Sequence, residues 1–367
     1  MQSIQVSLGQ RSYPIFMGIP SSPDLLGSKL RTTVTKASQW IVVYDTRISD
    51  FAERIAAGLP DEVPVTRLPV PSGEESKSPE QLVALWMQLA QLRADRKAVV
   101  VAVGGGVLGD LAGFLAATWN RGVRFVQIPT TLLAMVDSSV GGKTGINLPT
   151  AKNIVGAFWQ PHLVWADLTA LSTLPDREYR SGLAEVVKYG VILDPHLFAM
   201  LESNTDRILA RDPEAVAFIV QRSCELKAQV VAEDEFETTG LRAILNYGHT
   251  FGHALEALTG YGTLLHGEAV SIGMTMAAHL AATLGRWPTE LLARQTELLE
   301  RLHLPTRVSG TAAIPCDPQS VLQAMQSDKK TEHGQLNLIL PTRLGHVETV
   351  RGVDPETIAG AIAACRA

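Results

Sequence analysis

The sequence predicts an α/β protein: a mostly parallel sheet with helices on both faces, followed by a second, mainly helical domain. Three observations predict it. Short β-rich runs alternate with helical patterns up to about residue 172, a glycine turn follows one of those runs directly, and beyond residue 174 the apolar spacing becomes helical. At 367 residues the chain exceeds what one hydrophobic core commonly serves, so a division is expected. The change of pattern at Leu174-Pro175 sets it, giving domains 1–174 and 175–367.

The β-rich runs are WIVVYD (40–45), VPVTRLPV (63–70), AVVVAV (98–103), VRFVQIP (123–129) and LVWADL (163–168). Between the second and third, SPEQLVALWMQLAQLRAD opens with Ser78 as N-cap, Pro79 at the first helical position and Gln81 placed to close a capping box. After the boundary the pattern stays helical until GQLNLILPTRLGHVETV (334–350), which reads as a late strand or hairpin.

Composition narrows the function classes. With 46% hydrophobic and 19% charged residues the chain reads as an ordinary globular protein. A net charge of −5, with no basic run beyond Asp328-Lys329-Lys330, gives no electrostatic footprint for nucleic acid. Cys224, Cys316 and Cys365 are far apart and form no CxxC motif, which fits a reducing compartment. The N-terminal stretch alternates like a strand and lacks the layout of a signal peptide, and no apolar run is long enough to span a membrane, so a cytoplasmic protein is expected.

After AVVVAV, Gly104, Gly106 and Gly109 satisfy GxGxxG, and VLGDLAGFLAAT continues as a helix. Strand, glycine turn and helix N-terminus together present backbone amides and a helix dipole to a pyrophosphate; the bland alternative is a tight turn with close packing. The ordinary dinucleotide fingerprint also wants an acid about twenty residues on. Pro129, Thr130 and Thr131 stand there instead, and the acid that does end a strand is the earlier Asp45. A bound nucleotide would therefore meet its parts in an unusual chain order.

The run 128–161 is read as loop, rich in Gly, Ser, Thr, Lys and Asn. A glycine pair beside Lys143, with Lys152-Asn153 nearby, suits an anionic ligand, although a single lysine is more often merely solvated. Asp137, an acid in an apolar-to-small run, tips the balance toward function. Gly73, Glu74 and Lys77 repeat the theme after an earlier strand.

Three of the nine histidines fall between His249 and His266. His249 and His253 are four apart in NYGHTFGHALE and share a helix face, so spacing alone allows both to hold one metal. The pattern is not HExxH, because threonine follows His249. His266 precedes the next helix, and the carboxylate of a three-ligand site is either Glu185 or Glu268. Glu185 and Lys188 share one face, as a simple ion pair would, but apolar neighbours Leu183, Val186 and Val187 frame them.

The run GGGVLGDLAGFLAATWNRGVRFVQIPTTLLAMVDSSVGGKTGIN, followed by AKNIVGAFWQP, GLAEVVKYG, NYGHTFGHALE, HGEAVSIGM and DKK, resembles 3-dehydroquinate synthase over most of the chain. The resemblance implies a Rossmann-like nucleotide-binding domain and a helical metal domain enclosing one cleft, in a homodimer. It implies tightly held NAD used catalytically: the C5 hydroxyl of 3-deoxy-D-arabino-heptulosonate 7-phosphate is oxidised, phosphate is eliminated, the ketone is re-reduced, and an intramolecular aldol closure gives 3-dehydroquinate.

By that resemblance NAD falls to Asp45, Gly73, Glu74, Lys77, Gly105, Gly106, Asp110, Thr130, Thr131, Lys143, Lys152 and Thr173. Zinc, or cobalt with similar ligands, falls to Glu185, His249 and His266. Asp137, Lys143, Lys188, Lys227, Arg242, Asn246 and His253 are implied to be catalytic, and Asn153 and the Lys329-Lys330 pair to bind substrate. Arg121 is implied to reach the phosphate across the dimer interface. His249 and His253 thus part company, one on metal and one facing substrate, with Asn246 on the same helical face. The rivals are a sugar-phosphate cyclase closing another ring and a metal-dependent polyol dehydrogenase of the glycerol dehydrogenase type. Lys227, Arg242 and Asn246 speak against the first, and the abundance of positive charge speaks against the second.

Overall fold

The computed structural model describes residues 1–22, 24–149, 151–260, 262–308, 317–327, 331–332 and 335–366. The chain forms two compact units, one of residues 1–174 with 220–236 and the other of 175–219 with 237–367. The second unit is therefore interrupted, where the sequence pattern had assigned 175–367 to a single domain.

The first unit is built on a seven-stranded sheet. Its strands are β1 (Gln2–Val6), β2 (Tyr13–Gly18), β3 (Trp40–Asp45), β4 (Val65–Val70), β5 (Val99–Gly104), β6 (Arg124–Pro129) and, after the hairpin β7 (Lys143–Leu148) and β8 (Ala151–Phe158), β9 (Leu163–Asp167). The order is β1-β2-β9-β6-β5-β3-β4, parallel throughout except between β1 and β2. Helices α1 (Leu25–Thr33), α2 (Ser49–Ala57), α3 (Pro79–Gln91) and α4 (Gly106–Thr118) join the strands. Central β5 is buried at every residue, which is why it reads as a continuous apolar run without alternation. One core gathers Ile41, Val43, Leu85, Leu89, Val100, Leu111, Leu115 and Phe125 from β3, α3, β5, α4 and β6. Ser78 caps α3 as its sequence requires, its Oγ accepting from the Gln81 amide at 3.3 Å.

After β4 the chain returns to the other side of β3 to lay down β5, so strand order reverses between β3 and β5. In open α/β sheets ligands bind beyond the carboxyl ends of strands at such a reversal. The glycine turn follows β5 and the acid ends β3, on opposite sides of this point. That is the physical reason the ordinary order of parts failed in the sequence.

The run read as loop proves partly regular. It holds a π-helical turn (Ala134–Ser138) and the antiparallel hairpin β7–β8. Its glycines and asparagines lower strand propensity, and the hairpin owes its existence to packing on α4.

The second unit begins with α5 (Asp176–Ile192), α6 (Pro195–Ser203), α7 (Thr205–Leu209) and the first turns of α8 (Pro213–Glu233). It continues with α9 (His249–Thr259), α10 (His266–Thr283), α11 (Thr289–Arg301), α12 (Pro318–Ser327) and α13 (Pro355–Ala364), and with the expected late hairpin, Leu338–Arg343 paired to His346–Val350. Both α5 and α10 are buried on nearly every side, as core helices are. α9 and α10 meet along glycines: a Cβ on Gly273 would lie 2.1 Å from the Gly248 carbonyl oxygen and 2.8 Å from the Gly252 nitrogen. Gly248 itself has φ +80°, the left-handed region, and ends the turn that precedes α9.

Candidate functional site

In the first unit the candidate residues collect at the carboxyl edge of the sheet. Asp45 ends β3, Gly73, Glu74 and Lys77 follow β4, Gly105 and Gly106 open α4 after β5, Thr130 and Thr131 follow β6, and Thr173 follows β9. In-register pairing brings the strand ends level: Asp45 opposes Val70, and Gly104 opposes Pro129. Gly105 is the N-cap residue of α4, so unsatisfied amides and the helix dipole face this edge.

A polar network ties the edge together. Ser72 Oγ donates to the Asp45 carboxylate, which also accepts from the Arg47 amide at 2.8 Å. Buried Lys77 donates from Nζ to Asp110 and to Asn153 Oδ1. Burial lifts the Asp110 carboxyl above its ordinary range, and the Lys77 ammonium opposes that shift. Asn147 Nδ2 donates to Glu74 Oε1 at 2.7 Å, and Lys152 Nζ lies 3.9 Å from the same oxygen. Asn153, expected among the substrate contacts, lies in this network through Lys77, with its backbone at φ +52°. Neither Ser72 nor Asn147, the last residue of the GGKTGIN run, is singled out by the sequence, because a single polar atom that holds another residue has no spacing of its own.

Also in the first unit, Asp137 lies on the π-helical turn and pairs with buried Lys227. Lys227 Nζ is 2.8 Å from Asp137 Oδ1 and donates to the Asp137 carbonyl at 2.7 Å. Cys224 Sγ, one turn earlier on α8, reaches the Met135 carbonyl at 3.2 Å, which explains why 220–236 clusters with the sheet unit. Lys143 is exposed at the first residue of β7. Arg121 sits at the far end of α4, which spans about 20 Å at 1.5 Å per residue, so within one chain it stands apart from Gly106.

The metal-ligand candidates meet in the second unit. Glu185 projects from α5, and His249 and His266 are the first residues of α9 and α10. Glu185 Oε1 is 3.5 Å from His249 Nε2 and 3.7 Å from His266 Nε2. Two ligand atoms of a tetrahedral zinc at about 2.0 Å are separated by about 3.3 Å, so these donors fit one small ion. The carboxylate is fully buried and neither oxygen has a hydrogen bond, although Oε2 is in ion-pair contact with equally buried Lys188. Lys188 offsets the charge at Oε2 of this buried carboxylate, and a cation between Oε1 and the two imidazoles would satisfy the other oxygen. Glu268, the other carboxylate considered, is engaged elsewhere: it pairs with Arg177 at 2.7 and 2.8 Å and accepts from the Leu265 amide at 2.8 Å.

His249 Nδ1 lies 3.2 Å from the Tyr247 carbonyl, an arrangement that leaves Nε2 facing Glu185. Buried Tyr247 is itself fixed through its hydroxyl by Gln295 Oε1 at 2.8 Å. Among the described residues a second donor set joins His253, Glu256 and His266, and His253 belongs to that set alone. Spacing on one helix therefore does not bring His249 and His253 to a common carboxylate.

Arg242 and Asn246 lie on a short 3-10 turn, Leu241–Asn246, with Arg242 buried and 3.4 Å from Glu237. Left-handed Gly248 stands between this turn and α9, so Asn246 does not share the helical face of His249, as the uninterrupted pattern had implied. Lys329 and Lys330 lie outside the described residues.

Known proteins were compared with this chain. The family profile described as 3-dehydroquinate synthase N-terminal matches residues 67–181, and the one described as 3-dehydroquinate synthase C-terminal matches 182–331. The 3-dehydroquinate synthase of Rhodopirellula baltica is 50% identical over 372 aligned positions, covering 100% of this chain and 98% of the relative. A solved 2-deoxy-scyllo-inosose synthase, in complex with carbaglucose-6-phosphate, NAD+ and Co2+, superposes with a TM-score of 0.87 at 27% identity, covering 98% of this chain and 99% of that one. The 2-epi-5-epi-valiolone synthase of Streptomyces hygroscopicus, with NAD+ and Zn2+ bound, gives 0.87 at 28% identity and 98% of both chains.

Proposed function

The chain belongs to the 3-dehydroquinate synthase family, and from that premise we infer that it is a carbon–oxygen lyase converting 3-deoxy-D-arabino-heptulosonate 7-phosphate to 3-dehydroquinate and phosphate. One observation carries the reading: both halves of the family pattern run through the chain, alongside 50% identity to a synthase of that name. The solved cyclases that close other rings share the fold at 27% and 28% identity. The NAD+ and the Co2+ or Zn2+ in those two structures support NAD and zinc as the cofactors here.

When bound, NAD supplies a reversible acceptor for hydride from carbon, and zinc supplies Lewis acidity at the oxygen of that carbon. The rest is the work of side chains. Asp45, Gly73, Glu74, Lys77, Gly105, Gly106, Asp110, Thr130, Thr131, Lys143, Lys152 and Thr173 would hold the dinucleotide, and the amides at the α4 N-terminus would suit its pyrophosphate. Glu185, His249 and His266 hold the ion. Lys143, Asn153, Lys188, Lys227, Arg242, Asn246 and His253, with Lys329 and Lys330, position the carboxylate and phosphate of the substrate, their cationic groups stabilising the departing phosphate. Asp137 holds Lys227 in place through the pair described above.

We also propose a cytoplasmic homodimer in which Arg121 contacts the substrate phosphate of the partner subunit. Its position at the far end of α4 supports a role outside its own chain's nucleotide edge. No helix among the described residues is long and apolar enough to cross a membrane.

The test combines the purified protein, the heptulosonate phosphate, NAD and zinc, and follows phosphate release with NADH absorbance. Release of phosphate without accumulating NADH is expected. His249→Ala should lose zinc together with turnover, whereas His253→Ala should keep zinc and lose at least a hundredfold in turnover, the scale of a general acid–base or electrostatic group. NADH accumulating with glycerol would establish a dehydrogenase instead. Phosphate release only from a sugar phosphate without a carboxylate would establish another cyclase.

A further inference from the structure

His266 faces a carboxylate on each side. Its Nε2 lies 3.7 Å from Glu185 Oε1, and its Nδ1 lies 3.5 Å from Glu256 Oε2. Two donor sets thus share this one ring, Glu185–His249–His266 and His253–Glu256–His266. A neutral imidazole has a single lone pair, so it can ligate through one nitrogen only while the other carries a proton. The sets cannot both be filled through a neutral His266, and the chemistry of the ring makes them complementary.

The choice between them follows from burial and pairing. Glu185 is fully buried, Lys188 pairs with its Oε2, and two Nε2 atoms stand at ion-sharing distances from its Oε1. Resting on the zinc reading above, we propose that Glu256 is a positioning residue whose carboxylate accepts a hydrogen bond from the Nδ1–H of His266. It fixes the tautomer that offers Nε2 to the metal and raises the basicity of that nitrogen. Glu256 is buried and lies one turn beyond His253 on α9. The present 3.5 Å is longer than a hydrogen bond, and a shift of about 0.5 Å closes it. The arrangement parallels the Tyr247 carbonyl at Nδ1 of His249. Each histidine then has an anchor behind it: a backbone oxygen for one, a carboxylate for the other.

The experiment measures zinc affinity by chelator competition, and zinc stoichiometry at saturation, for the full chain and for Glu256→Ala, Glu256→Gln and Glu185→Ala. Cobalt-substituted samples report the ligand field by absorption. Glu256→Ala is expected to weaken zinc between tenfold and a hundredfold, to retain one ion at saturation and to shift the cobalt bands. Glu256→Gln keeps an acceptor of the same shape, so it should recover part of the affinity and guards against a fold defect in the alanine variant. Glu185→Ala should abolish stoichiometric binding. Affinity within twofold of the parent in both Glu256 variants overturns the proposal. So does loss of the ion from Glu256→Ala with retention in Glu185→Ala, which would place the metal in the His253 set. A parent protein that takes up no stoichiometric metal overturns the zinc reading itself, and this inference with it.

Discussion

His162 shows how one residue sets a response to acid. Its Nδ1 is buried without a hydrogen-bond partner, and burial, with Arg124 adding repulsion, pushes its imidazole down to about 4. In the unfolded chain the ring titrates near 6.5, so between those values the unfolded state takes up a proton that the folded state refuses. Stability from this group is therefore complete above about pH 6.5 and falls as pH drops toward 4, by at most about 3 kcal/mol. Denaturant midpoints at pH 7 and pH 5 should differ less for His162→Phe than for the parent; equal losses would assign the acid limb to other groups. At this same scale the site was unevenly legible. Spacing alone leaves Glu185 and Glu268 as alternatives, whereas Asp45, Gly106 and His249 announce themselves by strand end, glycine spacing or histidine density. Ser72, Asn147 and Glu256 do not, because a residue that holds another residue needs only one polar atom, and many positions supply that. Glu256 did leave a trace, three residues after His253 and so on its face.

At the scale of elements, the helices that carry the candidate metal ligands His249 and His266 are brought together by backbone contact. Gly273 on α10 lies against Gly248 and Gly252, and Gly267 beside His266 accepts no Cβ either, since one would fall 1.8 Å from the Ser181 carbonyl oxygen on α5. Gly273→Ala should therefore destabilise the protein by about 3 kcal/mol or more and reduce zinc content, because neither backbone can yield cheaply. Gly360→Ala, a substitution within α13 where a Cβ meets nothing within 4 Å, should be neutral or stabilising by up to about 1 kcal/mol. Matched thermal melts and metal analysis of the two variants check both. Long elements were legible because period and caps agree, as in α3. The β7–β8 hairpin was not, because its Gly- and Asn-rich strands form through tertiary packing, and the break at Gly248 was hidden because a helical apolar spacing runs across it.

At the scale of the molecule, the two-unit plan could be read from the shift between β and helical spacing. The return of residues 220–236 to the sheet unit could not, since nothing in the spacing of α8 marks where it changes company. The proposed homodimer predicts complementation. Arg121→Ala and His249→Ala, each inactive alone, should recover part of the activity when unfolded together and refolded, because one mixed site would receive an intact Arg121 beside an intact metal set. No recovery would place Arg121 outside the reaction. The glycine contact between α9 and α10 bears on the cost of loading the ion. The backbones that carry His249 and His266 meet at Gly248, Gly252 and Gly273, so the helices need no further ordering when a cation arrives, and only the side-chain torsions of the ligands remain to be fixed. The spacing of the two helices is set in advance by the peptide chain. Such a site discriminates by ionic radius and coordination number, and it favours a small four-coordinate ion over a larger one that needs six to eight oxygens.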